Sequence, residues 1–238
     1  MRKVVIAIQA RSDSQRLPGK AHLQVGGKPI LQWIIDSCNQ AIRYLAQTTK
    51  DLEADVSVCL LVPKGDALVS IYQNQIEILE GDHDDVLSRF YQAVNVYNAD
   101  YVVRITADCL KLPSYVIAKH IRSALIKSRD YTTNTHYRTF KEGWDCEVLS
   151  RRLVEWLENN ASSIHDREHV TTLIAEDRGF PFSDSDGKKN ICHIINNDDE
   201  SHLKTSIDTR EEYEAAQKAY QKFFDTKNKA RRAGIFII

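Results

Sequence analysis

Apolar and polar positions along the 238-residue chain repeat with two different periods. Lys3–Ala10 is nearly unbroken apolar sequence rich in β-branched residues, which predicts a strand buried on both faces. Ile30, Leu31, Ile34, Ile35, Cys38, Ile42 and Leu45 then recur at helical spacing, with Pro29 suited to the first turn. Val56–Val62 predicts a second strand, closed by Pro63 and Gly65, and Ile76–Leu79 a short third. Val86, Leu87, Phe90, Ala93, Val94 and Tyr97 return to helical spacing. Tyr101–Thr106 predicts another buried strand, ending at Ala107-Asp108-Cys109, and a helix from about Ser114 to Ile126 follows.

This β-α-β-α order predicts an α/β fold with a mostly parallel sheet flanked by helices. Ligands of such sheets bind beyond the carboxyl ends of the strands, where Arg11 and Asp108 both fall. The second half is less regular. Tyr131–Thr133, Cys146–Leu149 and Leu203–Ile207 read as strands, Arg151–Asn159 and Glu168–Arg178 as helices. Thr209 followed by Glu212 is a capping box and predicts a helix start. No repeat, linker or composition break divides the chain, so one domain over residues 1–238 is expected. The charged tail 227–234 reads as a solvated face, and the apolar end Gly234–Ile238 as a terminal strand or an interface edge, with a homodimer as one outcome.

Charge narrows the partners. Lys plus Arg number 32 and Asp plus Glu 33, so any cation cluster is local and a nucleic-acid-coating surface is not expected. Five cysteines without a CxxC pair suit a reducing cytoplasm better than a disulfide framework. No signal peptide is evident, and the apolar runs are too short to span a bilayer.

Three cations, Arg11, Arg16 and Lys20, crowd the loop after the first strand, "RSDSQRLPGK". Its end resembles a P-loop, but the first glycine of that motif is missing and Ala21 follows the lysine, so a Walker-type NTPase is rejected. Forked guanidiniums, a compact ammonium and the close approach permitted by Gly19 still suit a phosphate, against the alternative of a salt-screened surface loop. Asp13 adds a negative charge to this loop, so its side chain is expected to turn outward. Asp108 and Asp208 each follow a predicted strand. Together they suit one Mg²⁺, which favours few carboxylates plus substrate phosphate oxygens, although a turn or cap serves Asp108 equally well. Asp84 and Asp85 suit a helix N-terminus, and Arg89 reads either as a surface residue of that helix or as directed to the same sheet edge. No GxGxxG follows the first strand, which argues against a dinucleotide-binding dehydrogenase.

The stretches "IQARSDSQRLPGK", "GDHDDVLSRF", "VRITADC", "DYTTNT", "GWDCEVLS", "REHVT" and "IDTREEYE" occur in this order from Val4 to about Ala216. This set resembles cytidylyltransferases of the spore-coat polysaccharide biosynthesis type, relatives of the CMP-sugar synthetases for 3-deoxy-octulosonate and sialic acids. The resemblance implies a Rossmann-like nucleotidyltransferase fold, a CTP-binding half over about 1–130 and an acceptor-binding half over about 131–238. It implies transfer of CMP from CTP to an acidic sugar or related acceptor, with Mg²⁺ and release of pyrophosphate. Ala10, Arg11, Ser12, Arg16, Lys20, Asp85, Arg89, Thr106 and Asp108 would bind the nucleotide, with Asp108 and Asp208 on the metal. Arg11, Lys20, Asp108 and Asp208 would carry catalysis. Asn134, Asp145, Glu147, Arg167, Glu168 and His169 would line the acceptor side, where His169 reads as structural or as an aid to proton transfer. The resembled motif reads Gly-Asp-Cys-Pro where this chain has Ala107 and Leu110, and a Cβ at 107 narrows the nucleotide space. The rival readings are another NTP, a phosphate or phosphonate acceptor, or a degenerate protein that binds nucleotide without turnover.

Overall fold

A computed structural model of the chain describes residues 1–48 and 53–232, with the backbone alone over 223–232. The apolar end Gly234–Ile238 and the side chains of the charged tail therefore lie outside the described residues.

The first apolar run forms β1 (Arg2–Gln9). A loop and a single 3₁₀ turn (Lys20–His22) lead to the tight hairpin β2 (Gln24–Val25) and β3 (Lys28–Pro29), whose turn glycines, Gly26 and Gly27, both have positive φ. Helix α1 (Ile30–Thr48) begins one residue after Pro29, which closes the hairpin instead of entering the helix. Then follow β4 (Ala54–Pro63), α2 (Leu68–Tyr72), β5 (Glu77–Gly81), α3 (Val86–Val96), β6 (Tyr101–Thr106) and α4 (Ser114–Lys127). The second half adds β7 (Tyr131–Thr133), β8 (Glu147–Ser150), α5 (Arg151–Asn160), α6 (Ile164–His169), α7 (Thr172–Ala175), β9 (Ile191–His193) and α8 (Arg210–Arg232).

Among the described residues, nine strands make a seven-stranded sheet of order β5-β4-β1-β6-β8-β7-β9 and the β2-β3 hairpin. The first four strands are parallel, β8 runs antiparallel to both β6 and β7, and β9 is parallel to β7. Alternation along β1 divides the core. Val4, Ile6 and Ile8 pack with the apolar face of α1 and with α4, while Val5 and Ala7 pack with α3 and α5 on the other side. Each large side chain so buried stabilises the fold by about 1.5–3 kcal/mol, and truncating one such as Ile6 to Ala costs about 2–5 kcal/mol.

Two predicted elements differ. Leu203–Ile207 contributes only one bridge, Lys204 to Glu142, because it lies against a loop and not against the sheet. The predicted helix Glu168–Arg178 is broken. After α6 the chain turns sharply at Val170 (φ 64°, ψ −56°), where Thr171 N–H donates to His169 O at 2.7 Å, and α7 begins at Thr172. Among the described residues no helix is long and apolar enough to cross a membrane.

Candidate active site

The chain leaves β1 with β4 on one side and β6 on the other, so the carboxyl end of β1 is a topological switch point. In register there, Gln9 lies opposite Thr106 and Ala7 opposite Arg104. On the face that carries Val5, Ala7 and Val102, apolar residues thus give way to Gln9, Arg104 and Thr106. These three form the floor of a cleft of about 360 Å³. Its walls come from the loop after β1, from α3, from the turn after β6, from Glu168 and His169 at the end of α6, and from Asp208.

The loop after β1 is held by its own backbone. Gly19, at φ 70°, donates to Ser12 O at 3.1 Å, Lys20 N–H donates to Leu17 O at 3.1 Å, and the Leu17 side chain is buried. Ser12 faces away from the cleft, its N–H and Oγ donating to Asp66 at 2.9 and 3.1 Å. Asp13 turns outward as expected: it is paired with His83 Nε2 at 2.7 Å and is absent from the cleft wall.

Asp208 reaches the cleft through the segment before α8. Ile207 N–H donates to Asp108 O at 3.2 Å, and Thr205 N–H to Glu142 O at 2.8 Å. Gly143 (φ 91°) permits this approach, since a Cβ there would lie 2.4 Å from Ser206 N. The capping box forms: Glu212 accepts from Thr209 N–H at 3.0 Å and from Asp208 N–H at 2.6 Å, and Thr209 Oγ1 accepts from Glu212 N–H at 3.3 Å.

Asp108, after β6, and Asp208, before α8, share one cation. Lys20 Nζ lies 3.2 Å from Asp208 and 3.5 Å from Asp108. Arg16 and Lys204 also reach Asp208, at 3.0 and 3.4 Å. Burial raises the Asp208 pKa, but Lys20, Arg16 and Lys204 outweigh it and hold this carboxyl below its ordinary value. Thr106 Oγ1 donates to Asp108. Ala107 lines the cleft without a positive φ, so its Cβ narrows the space but does not strain the backbone.

Arg89 is 3% exposed and lines the same cleft. Among the described residues no carboxylate lies within ion-pair distance of it, and its Nη1 donates only to Leu61 O, at 3.5 Å. Burial, and then Arg11, lower its pKa. Three buried polar atoms of cleft residues, Arg89 Nε, Arg104 Nε and Gln9 Oε1, have no protein partner. All three belong to residues that line the cleft, where a bound ligand or water can satisfy them.

Of the expected nucleotide residues, Ala10, Arg11, Arg16, Lys20, Arg89, Thr106 and Asp108 line the cleft and Ser12 and Asp85 do not. Asp85 caps α3, accepting from Ser88 N–H at 2.9 Å, and pairs with Arg167 at 2.5 Å. Of the expected acceptor residues, only Glu168 and His169 line it. Asn134 ties its loop by bonds to Trp144 O and Cys146 N–H, at 2.7 and 2.9 Å. Asp145 pairs with both terminal nitrogens of Arg138, at 3.0 and 3.1 Å. Glu147 is buried beneath the cleft, bonded to Arg104 at 2.5 Å and to the Tyr131 hydroxyl. Sequence reasoning passed over Gln9, Arg104 and Lys204. Arg104 had a signal, a charge inside an otherwise apolar strand.

The family model described as cytidylyltransferase matches residues 5–231. An uncharacterized protein of Methanocaldococcus jannaschii, MJ1063, is 31% identical over 73% of this chain and 68% of its own. The spore coat polysaccharide biosynthesis protein SpsF of Bacillus subtilis is 24% identical over 93% of this chain and 88% of its own. Among solved structures, a cytidylyltransferase from Leptospira borgpetersenii superposes with a TM-score of 0.76 at 25% identity, over 98% of this chain and 96% of that one.

Proposed function

The chain belongs to the cytidylyltransferase family, and from that premise we propose that it transfers CMP from CTP to a hydroxyl of an acidic sugar or related acceptor in surface-glycan synthesis. One observation carries this reading. A cleft at the switch point brings together the buried Arg89, which has no counter-ion among the described residues, Arg11, paired only with the exposed Asp13 at 3.9 Å, and two carboxylates joined by Lys20. A buried arginine such as Arg89, without a carboxylate partner, suits an anionic ligand such as a triphosphate.

The carboxylate pair suits a divalent cation. Two hard oxygen donors already converge on one cationic nitrogen, and among the described residues no third His, Cys, Asp or Glu completes a protein cage. That donor set fits Mg²⁺, which Asp108 and Asp208 would hold with substrate phosphate oxygens and water as further ligands. When bound by Asp108 and Asp208, Mg²⁺ would neutralise charge on the α-phosphate. Arg11, Arg16 and Lys20 bind the β- and γ-phosphates and stabilise the departing pyrophosphate. The acceptor oxygen bonds to the α-phosphorus as the bond to the β-bridging oxygen breaks. His169, which lines the cleft beside Glu168, accepts the one proton that the acceptor hydroxyl loses as its oxygen attacks. In this reading the first half of the chain supplies the nucleotide side and the second half supplies Asp208, Glu168 and His169. Glu147, joined to Arg104, acts on the acceptor only through that arginine. Five free, buried cysteines support a reducing cytoplasm.

Protein incubated with CTP, Mg²⁺ and a panel of acidic sugars including 3-deoxy-manno-octulosonate should release pyrophosphate. Asp108→Asn and Asp208→Asn should each abolish release with unchanged circular dichroism. Full activity of both variants would refute the metal assignment. CTP binding without pyrophosphate from any acceptor would refute the transferase reading.

A further inference from the structure

Gly81 ends β5, the edge strand, with an ordinary backbone φ, so it is not required there for turn geometry. Its lack of a side chain has a different use. A Cβ built on Gly81 would lie 2.6 Å from Arg89 Cγ, 3.3 Å from Arg89 Cδ and 3.4 Å from Gln92 Oε1. The first distance is closer than carbon atoms pack. It also falls on the middle of the arginine stem, which cannot yield without moving the guanidinium. The stem of Arg89 therefore runs through the space that a side chain at 81 would fill.

That path puts an uncompensated cation where it is costly. Arg89 sits one turn inside α3, almost fully buried, with Val86 and Arg11 beside it on the cleft wall. Its single acceptor among the described residues, Leu61 O, is at the limit of hydrogen bonding and already accepts from Ala10 N–H at 3.0 Å. The nearest acids are committed elsewhere. Asp82 accepts from the N–H groups of Asp84 and Asp85, Asp66 from Ser12 and Leu68, and Asp85 from Ser88 and Arg167. A buried guanidinium so placed gives up its solvent and gains little from protein, so its compensation comes from the bound ligand.

We propose that Gly81 is a positioning residue for nucleotide binding: its missing side chain makes the channel that carries Arg89 beneath the cleft and aims its open N–H groups at an oxygen of the nucleotide. This rests on the reading of the cleft as the CTP site. The ligand chemistry is a polyphosphate-bearing nucleotide, and Gly81 acts only through Arg89.

The test is a double-mutant cycle on the full chain with Gly81→Ala, Arg89→Ala and both together. Thermal unfolding is measured without ligand, and binding of CTP with Mg²⁺ and of inorganic triphosphate by calorimetry. Each single variant should weaken CTP binding about tenfold or more, the weight of one charge-assisted hydrogen bond. The double variant should bind as Arg89→Ala does, with no further loss. It should also melt above Gly81→Ala, because removing the stem removes the clash. Wild-type affinity in Gly81→Ala, additive losses in binding, or a double variant that melts below Gly81→Ala would each overturn the proposal. Wild-type protein that binds neither CTP nor triphosphate would overturn the nucleotide reading, while the melting cycle would still decide whether Gly81 acts through Arg89.

Discussion

Replacing Glu147 with Gln should cost the protein far more stability than one atom's change suggests. The carboxylate is 2% exposed, accepts from Arg104 at 2.5 Å across the β6-β8 pair, and is bonded also by the Tyr131 hydroxyl. Burial raises its pKa, but Arg104 and Tyr131 outweigh that and hold it below the ordinary glutamate value. An amide keeps the shape and removes the charge, leaving the largely enclosed Arg104, its side chain 15% exposed, with no counter-ion. Breaking one side of a buried pair costs about 3–5 kcal/mol. In a domain of this size each kcal/mol lowers Tm by about 2–4 °C, so a fall of about 10 °C is expected in scanning calorimetry. Arg104→Gln added to Glu147→Gln should recover part of it, since two amides leave no buried charge. Because the folded-state carboxyl titrates below the unfolded one, the pair stabilises above the unfolded pKa of about 4.3 and is lost as pH falls through the folded value. The deficit of the variant should therefore shrink on acidification. A fall in Tm below about 2 °C, or a double variant no better than the single, would refute the buried-pair argument. It would return Glu147 to direct contact with the acceptor.

Three further outcomes follow from the same geometry. Lys20→Met should let nucleotide-free protein bind Mn²⁺ about tenfold more tightly, because an ammonium at such distances in a half-buried site competes for the same carboxylates; unchanged affinity in a Mn²⁺ titration would sink this. His83 bridges Asp13 and Asp84, at 2.7 and 2.6 Å, and these bonds raise its pKa. This clasp is complete below the ordinary histidine pKa and weakens as pH rises through the raised one, so Asp13→Asn should move the His83 NMR titration downward, and an unmoved titration would contradict it. Val170 is a buried β-branched residue at positive φ, a strain of about 1–3 kcal/mol. Val170→Gly should therefore melt above Val170→Ala, the reverse of the usual order, which calorimetry would decide.

Much of the fold was legible because the parallel strands are buried on both faces. Such strands read as continuous apolar runs, and Tyr101–Thr106 falls where its composition puts it. The capping box at Thr209 was legible for a similar reason, since both of its partners lie within one turn. Segments whose partners are remote were not. Ile191–His193 is a strand only because it pairs with β7, and Leu203–Ile207, composed like a strand, finds a loop in place of a sheet edge.

The candidate site divides along the same line. The sequence by itself determined the cationic loop after β1, the acid after β6 and the ordered motifs that mark the family, because each is a local pattern of residue type and spacing. Only the tertiary structure decided that Asp208 meets Asp108, through a backbone bond that glycine at 143 permits. It alone separated Glu168 and His169, which face the cleft, from Arg167 beside them, which turns to Asp85. It also decided that Glu147 serves Arg104, and that Gly81 makes room for Arg89. The physical reason is common to all four. Charge and spacing are written along the chain, whereas a carboxylate's partner and the space around a guanidinium depend on side chains that packing brings from elsewhere.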